Sequence, residues 1–367
     1  MKSIIIATNY SGPYEGNFIR SIRKLNEELK EKSINLILVF PEETLKYEWT
    51  KTLKSWCNEV VFINAEKVSE YKKIAKIIKE NNVIFVHTHF ATFKLLTILR
   101  VANIFSGKKI PIIEHWHNHW SVGNNKIKEK IKKNLVSNDR MIACSEGVAE
   151  SLRKANLKNK IIYIKNAIDF SRFNIDEISL KEKDIKPLQV LIFGFDFERK
   201  GVDLAIRACF DMVDKGIKLN LKICVAIGID EVKGKILNLI GEDYIPEWIE
   251  LLPPTDNIQE YYEQATVFIS PSREEGFPYS LIEAAYCGCL LIASNISGQN
   301  EIDFKDVLWI SSESEIELEK ALEKINTMDS EKIKEMSYEI HKEAQDKYQI
   351  ERWTRDVINY YRSEKLI

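Results

Sequence analysis

The chain has 367 residues, 45% of them hydrophobic, which is enough for two ordinary cores, and no apolar run reaches the length of a spanning helix. Lys and Arg number 53 against 55 Asp and Glu, and the net charge of -2 excludes a general nucleic-acid binder. The opening MKSIIIATNY is too short an apolar stretch for a signal peptide, and the cysteines at 57, 144, 209, 224, 287 and 289 form no Cys-x-x-Cys pair, so they read as reduced core residues of a cytoplasmic protein.

Strands and helices alternate along the chain. SIIIAT (3–8) reads as a buried strand, followed by the loop NYSGPYEG and an amphipathic helix over about 17–32. INLILVF (34–40), VIFVHTH (83–89), IPIIEHW (110–116) and RMIACS (140–145) read as further strands, each leading into a helix-like segment. Lys126, Lys128, Lys130, Lys132 and Lys133 form a basic cluster on a helix; it fits a solvated face and also a peripheral contact with a membrane surface. The alternation lapses in the polar stretch NIDEISLKEKDIKP, which marks a linker over 174–186. It resumes with QVLIFGF (189–195), KLNLKICVAI (218–227), WIELLP (248–253), ATVFIS (265–270), CLLIAS (289–294) and VLWI (307–310). The charged segment 328–363 reads as helical, with Trp353, Val357 and Tyr360 on one face, and is expected to return to the first domain.

Short β-branched runs alternating with helices mean parallel sheets covered on both faces. The expected fold is therefore α/β, with two Rossmann-like, doubly wound parallel-sheet domains facing a central cleft. The first spans 1–173 plus a C-terminal helix at about 346–367, and the second spans 187–345. In such sheets ligands sit beyond the carboxyl ends of the strands, where the strand order reverses.

The most informative stretch is PSREEGFPYSLIEAAYCGCLLIAS, which carries Glu275 and Glu283 eight residues apart around a Gly-Phe-Pro turn. A helix starting near 278–280 places Glu275 in the loop and Glu283 one turn into the helix, each facing a solvent-reached crevice. The N–H groups at such a helix start favour an anion. Two hydroxyl acceptors beside an anion site suit a sugar joined to a phosphate; a surface loop with a helix-capping glutamate fits the spacing as well. FGFDFERKGVDLAIRAC (193–209) places Gly194 and Gly201 at a strand end, with Arg199 and Lys200 as candidate diphosphate partners. It contains neither a Walker loop nor a strict G-x-G-x-x-G, and a plain βα turn with a basic helix start would look similar.

These segments, with KNAIDFSRF (165–173), MIACSEGVAESL (141–152) and SREEGFPYSLIEAAYCGCLLIASNISGQNEI (272–302), resemble the retaining nucleotide-sugar glycosyltransferases of GT-B fold, the group 1 or family 4 type with its E-x(7)-E motif. The resemblance implies that Glu283 binds the donor ribose, that Glu275 meets hydroxyls of the transferred sugar near C3 and C4, and that Lys200 contacts the diphosphate. It also implies that Gly194, Gly276, Phe277 and Pro278 line the donor. Two positions depart from the family. Phe195 stands where the family has an arginine after Gly194, leaving Arg199 as its replacement, and Gly298-Gln299-Asn300-Glu301 replaces Gly-Gly-x-Pro-Glu.

Five of the six histidines fall between 87 and 119. His87 and His89 alternate at one strand end, as do His115, His117 and His119 if that strand continues. Packed histidines, ligand contacts and a metal site are each compatible with that pattern; the expectation is that there is no metal. The resemblance places His117 beside the donor sugar as a catalytic-site residue, and His89 on the acceptor side. Tyr14, Gly16 and Trp116 join the sites, with Gly16 approaching the donor phosphate and Tyr14 and Trp116 nearer the acceptor.

No Asp-x-Asp pair occurs, so no metal or other cofactor is expected. The implied activity is retaining, metal-independent transfer of a hexosyl group from a UDP-sugar to a glycan or lipid-linked acceptor in bacterial surface polysaccharide assembly, at the inner face of the plasma membrane. A catalytically silent partner subunit, supported by Phe195, and a GT-B nucleotide-sugar epimerase are the alternatives.

Overall fold

The computed structural model describes residues 1–120, 126–136, 140–155, 157, 159–175, 186–194, 196–225, 227–255 and 257–367. Phe195 and most of the expected linker, 176–185, lie outside the described residues. The chain divides into two compact units, Met1–Asp169 with Ile350–Ile367, and Phe170–Gln349. The sequence reading drew these limits at 173 and 346.

The first unit holds a seven-stranded sheet: β1 (Lys2–Thr8), β2 (Ile34–Pro41), β3 (Glu59–Ile63), β4 (Val83–His89), β5 (Ile112–Trp116), β6 (Arg140–Ala143) and β7 (Ile161–Tyr163). Its order is β3-β2-β1-β4-β5-β6-β7, and every pairing is parallel. The central strand β1 buries Ile4, Ile5, Ile6 and Ala7 in succession, as a strand covered on both faces must. The reading in chain order lacked β3 and β7. Both are edge strands: β3 buries only Ile63 and β7 buries no residue, so neither carries the continuous apolar run that betrays an inner strand.

The second unit holds β8 (Leu188–Phe193), β9 (Leu219–Cys224), β10 (Ile249–Leu252), β11 (Val267–Ser270), β12 (Leu290–Ser294) and β13 (Val307–Ile310). These form a parallel sheet in the order β10-β9-β8-β11-β12-β13. The strand order reverses between β1 and β4 in the first unit and between β8 and β11 in the second, so the carboxyl ends of those pairs are where each unit can take a ligand.

The segment read as one helix over 328–363 is two. Ser330–Lys347 belongs to the second unit and Ile350–Ser363 to the first. The break has local causes. Tyr348 is buried and its hydroxyl accepts from the Asp303 amide at 2.7 Å. The Ile350 amide donates to the Ile168 carbonyl at 3.0 Å, so the chain re-enters the first unit already pinned. The last helix then buries Trp353, Val357, Ile358 and Tyr361, and Arg352 donates to the carbonyls of Lys165 and Asn166 at 2.9 Å each.

All six cysteines are free and buried. Burial pushes the Cys57 thiol up to about 11 and those of Cys209 and Cys224 up to about 12, which keeps them protonated and inert. Among the described residues no helix is long and apolar enough to cross a membrane.

Candidate functional site

In the second unit two loops leave the neighbouring strands β8 and β11 at the point of reversal. The first runs from Gly194 through a turn at 196–201 into the helix Val202–Asp214, and the second runs from Pro271 to Pro278 into the helix Tyr279–Tyr286. Backbone and side chain lace them together. The Arg273 amide donates to the Arg199 carbonyl at 2.8 Å, and Arg199 Nη1 returns a bond to the Glu274 carbonyl at 3.1 Å. Arg273 also forks onto Asp203 at 2.8 and 2.9 Å, which ties the second loop to the helix that follows the first.

Two glycines make this approach possible. Gly201 has φ +70 and a Cβ there would overlap the Pro271 carbonyl; Gly298 has φ +84 and a Cβ there would overlap the carbonyls of Glu275 and Gly276. The loop 271–276 is thus clasped from two sides by positions where only hydrogen fits. Gly194 instead permits close packing of the strand end, since a Cβ there would lie 2.6 Å from Ile223 Cγ2.

Within the clasp Lys200 Nζ donates to Glu275 Oε1 at 2.6 Å, Ser272 Oγ donates to the same oxygen at 3.0 Å, and Arg199 stands 3.7 Å away. Arg199 is also held by Asp196 at 2.7 Å. Lys200 and Glu275 are only 9% and 7% exposed. The sequence reading set Glu275 in a solvent-reached crevice with Lys200 aimed at a diphosphate. The structure corrects the first point, because the carboxylate is buried and compensated by the lysine itself.

Glu283 lies one turn into the helix Tyr279–Tyr286, whose N-cap residue, Pro278, supplies no side-chain cap. It is 6% exposed and has its own partners: Arg172 Nη1 at 3.1 Å and the Tyr262 hydroxyl at 2.8 Å. Burial and the Glu283 carboxylate push the Tyr262 phenol well above its ordinary range, so it remains a donor. Arg172 comes from the turn Phe170–Arg172, set in place by Phe170 stacking on Tyr286 with ring centres 4.0 Å apart. The two glutamates therefore sit in separate polar nests, each with a cation and a hydroxyl.

Sequence reasoning missed Arg172, Tyr262, Ser272 and the structural part played by Gln299. Gln299 is fully buried, donates to the Ser270 carbonyl at 2.6 Å and accepts from the Ser270 hydroxyl at 3.3 Å. It fixes the end of β11 from which the Glu275 loop departs. Only the stretch KNAIDFSRF (165–173), quoted for its resemblance, offered any signal for Arg172, since its partner is 111 residues away. Gly276, Phe277 and Pro278 are buried, and the Phe277 side chain packs as core, leaving their backbone as what this segment can offer a ligand.

In the first unit the loop after β1 coils on Tyr10, whose hydroxyl donates to the Tyr14 carbonyl at 2.8 Å. Gly16, at φ +57, opens the helix Gly16–Glu31 directly behind it. Tyr14 and Gly16 are half-buried here, as is Trp116 at the end of β5. Trp120 is buried and donates to Glu129 at 2.7 Å, so it is core.

The histidines do not present a row to solvent. His87, His89 and His115 are 0%, 0% and 3% exposed. β5 ends at Trp116, so His119 falls off the alternation. His89, expected beside the acceptor, lies wholly inside the unit, and its Nδ1 is 3.0 Å from His117 Nε2. The His117 ring in turn stacks on Phe90 with centres 4.1 Å apart. Burial pushes His87 and His117 down to about 3, and His89 and His115 well below their ordinary value, so all four rings are neutral.

The basic cluster forms the helix Lys126–Val136, with Lys126, Lys128 and Lys130 exposed beside Ile127 and Ile131, which are 73% and 62% exposed.

Comparison with known proteins agrees with this architecture. A family model described as glycosyl transferases group 1 matches residues 174–346, and one described as Glycosyltransferase Family 4 matches residues 13–172. An uncharacterized glycosyltransferase of Methanocaldococcus jannaschii is 26% identical over 300 residues, 79% of this chain and 78% of that one. The capsular polysaccharide biosynthesis glycosyltransferase CapH of Staphylococcus aureus is 24% identical over 261 residues, 69% of this chain and 72% of that one. Among solved structures, Anabaena HepE in complex with UDP-glucose superposes with a TM-score of 0.78 at 13% identity, over 98% of this chain and 99% of that one. Sucrose-phosphate synthase of Thermosynechococcus elongatus does so with a TM-score of 0.78 at 16% identity, over 99% of each.

Proposed function

Since this chain belongs to the group 1 glycosyltransferases of GT-B fold, we propose that it moves a sugar from UDP to a hydroxyl of a glycan or lipid-linked acceptor, with retention at the anomeric carbon, in bacterial surface polysaccharide assembly. The observation that carries this reading is the pair of polar nests at the reversal of the second sheet, Glu275 with Lys200 and Glu283 with Arg172. The capsular biosynthesis role in the name of the staphylococcal relative, and the UDP and UDP-glucose in the titles of the HepE structures, support the pathway and the nucleotide.

In this reading Glu283 accepts from the two ribose hydroxyls, with Arg172 and Tyr262 fixing the carboxylate. Glu275 accepts from hydroxyls of the transferred sugar near C3 and C4. An ammonium has three donors, so Lys200 can hold Glu275 and meet the diphosphate at once. The backbone at 276–278 and the start of the helix Tyr279–Tyr286 complete the phosphate's surroundings. His117 is assigned to the donor sugar, and Tyr14 and Trp116 to the acceptor.

The leaving diphosphate takes the proton of the attacking hydroxyl on the face from which it departs, through an oxocarbenium-like transition state. Catalysis is then positioning together with electrostatic stabilisation of the departing phosphate. Glu275 anchors the sugar and need not attack it. No divalent ion bridges the diphosphate, because Lys200, Arg199 and the helix start offset its charge; adding Mg²⁺ or Mn²⁺ should leave the transfer rate unchanged. The exposed lysines and isoleucines of the helix Lys126–Val136 support docking on an anionic membrane surface, where a lipid-linked acceptor would lie.

The test separates the two glutamates. Glu283→Gln should weaken UDP and UDP-sugar alike, since both carry the ribose. Glu275→Gln should leave UDP affinity nearly intact and slow single-turnover transfer by about 10²-fold or more. Equal loss of UDP affinity in both variants would overturn the assignment of the two ends. Tight UDP-sugar binding by the unaltered chain, without transfer to any acceptor or release of free sugar, would mark a silent subunit instead.

A further inference from the structure

The first unit contains a cluster of side chains that the transfer reaction does not use. His87 and His89 alternate on β4, and His115 stands beside His89 on the neighbouring strand β5, so all three project from the same face of the sheet. One ring nitrogen from each lies within 4.8 Å of the others. His87 Nε2, His89 Nε2 and both nitrogens of His115 are buried with no hydrogen-bond partner. An unpartnered buried polar atom costs about 1–3 kcal/mol, and one face of one unit holds four of them.

The nitrogens that do have partners give the pattern its meaning. His87 uses Nδ1 toward the Tyr361 hydroxyl at 2.6 Å and leaves Nε2 orphaned; His89 uses Nδ1 toward His117 Nε2 at 3.0 Å and likewise leaves Nε2 orphaned. A metal-ligating histidine is held in this way, donating one N–H to a fixed partner while the opposite nitrogen keeps its lone pair for the ion. Neutral rings are also what ligation requires.

We propose that His87, His89 and His115 bind a divalent transition metal of the zinc class, with Tyr361 and His117 orienting two of the ligands. Three imidazoles without a carboxylate or thiolate favour zinc, cobalt or nickel over magnesium or calcium. A fourth position is left for water or hydroxide. Tetrahedral zinc–nitrogen bonds place the ligand atoms about 3.4 Å apart, so each ring must move by roughly 1 Å, and the broad χ2 well of histidine permits a swing of that size. Tyr361 lies on the helix Ile350–Ser363, and Trp353 of the same helix stacks on His115 with ring centres 6.3 Å apart. The ion therefore braces the C-terminal helix against the strand ends of its own unit. The three ligands are distinct from the donor nests; His117, which orients His89, is the one residue shared with the proposed donor-sugar contacts, and metal uptake without nucleotide is read independently of transfer.

The experiment uses the full chain, stripped with chelator and dialysed against Zn²⁺ or Co²⁺ without any nucleotide. One equivalent should bind and raise the melting temperature. The cobalt form should show visible bands of a four-coordinate nitrogen and oxygen site, with no thiolate charge transfer. Tyr361→Phe, which keeps the ring and removes the orienting hydroxyl, should weaken binding by about 10-fold or more. His115→Phe should abolish binding, and His119→Gln should leave it unchanged. In case His115→Phe fails to fold, ¹⁵N-histidine spectra of the unaltered chain decide the question, because three imidazoles should shift on titration with Zn²⁺. An unaltered chain that takes up no zinc, a cobalt spectrum with sulfur bands, or folded variants that bind as before would each overturn the site.

Discussion

Both units gather polar side chains at the carboxyl ends of the strands flanking their reversal point, yet they accommodate the cost of burial in opposite ways. The second unit brings in full charges and pairs them: Lys200 with Glu275 at 2.6 Å, and Arg172 with Glu283 at 3.1 Å. The first unit brings in rings that burial keeps neutral, and leaves four of their nitrogens without partners. Its ion pairs include some nearer the rim, as at Glu364 with Arg140 and Lys160, and one at the buried Glu114 of β5, which stands 3.6 Å from Arg100. A paired charge is cheap while both members are present and costly when one is removed. An orphaned neutral ring costs something at all times and can be replaced without leaving a charge behind. The first arrangement suits a site that must present fixed charge to an anionic donor. The second suits a site completed by something that the chain itself does not supply.

The largest effect should come from breaking one charge pair. Lys200→Ala leaves the Glu275 carboxylate buried without its closest cation and should lower stability by about 3–5 kcal/mol, read by denaturant unfolding, beyond any loss in donor binding. Lys200→Met combined with Glu275→Gln should recover most of that loss. If the double variant is as unstable as the single, the pair is not what holds the loop. Next come the two glycines that clasp it. Gly201→Ala and Gly298→Ala each force a Cβ into a backbone carbonyl at positive φ, at about 2–5 kcal/mol. Either variant melting like the unaltered chain would show that the clasp is loose.

The first unit should respond with the opposite sign. His115→Phe in metal-free buffer keeps a ring for Trp353 to stack on and deletes two orphaned nitrogens. It should therefore leave stability within about 1 kcal/mol or raise it, whereas added Zn²⁺ should stabilise only the unaltered chain. A large loss in metal-free buffer would mean that those nitrogens have partners after all. The smallest effect belongs to the rim. Hydrogen bonds from Lys160 and then Arg140, opposed by burial, hold Glu364 below the ordinary glutamate value of 4.5. Its contribution is therefore complete above that value and is lost as pH falls through the lowered folded value. Glu364→Gln should therefore lower stability at neutral pH by no more than about 1 kcal/mol, leave it unchanged at pH values below the lowered folded value, and so flatten the acid limb of the profile.

Much of the fold was legible because buried parallel strands write themselves as apolar runs. β1, β2, β4, β8, β11 and β12 are each covered on both faces, and each was read within a residue or two at either end. The edge strands β3 and β7 were not, since a strand with one or no buried residue has no such signature. The helical segment 328–363 hid its break because Tyr348 and Gln349 do not look like a terminator. Tertiary bonds to Asp303 and Ile168 end one helix and begin the next.

In the candidate site, Glu275, Glu283 and Lys200 stood out through residue type and spacing near a glycine turn. Arg172 and Tyr262 did not, because their tie to Glu283 spans 111 and 21 residues and leaves no periodic trace. The burial of both glutamates was equally invisible. A carboxylate in a loop reads as exposed until its cation is seen beside it.

By itself, then, the sequence determined the alternation of strands and helices, the two-domain α/β plan, and the short motif that carries the paired glutamates. Those features depend on local periodicity and on residues close together in the chain. Only the tertiary structure decided which cation faces which carboxylate, that Gly201 and Gly298 clasp one loop from two sides, and that the histidines turn inward with unpartnered nitrogens. Such contacts join positions far apart in the chain, and whether a polar atom finds a partner depends on what the fold brings next to it.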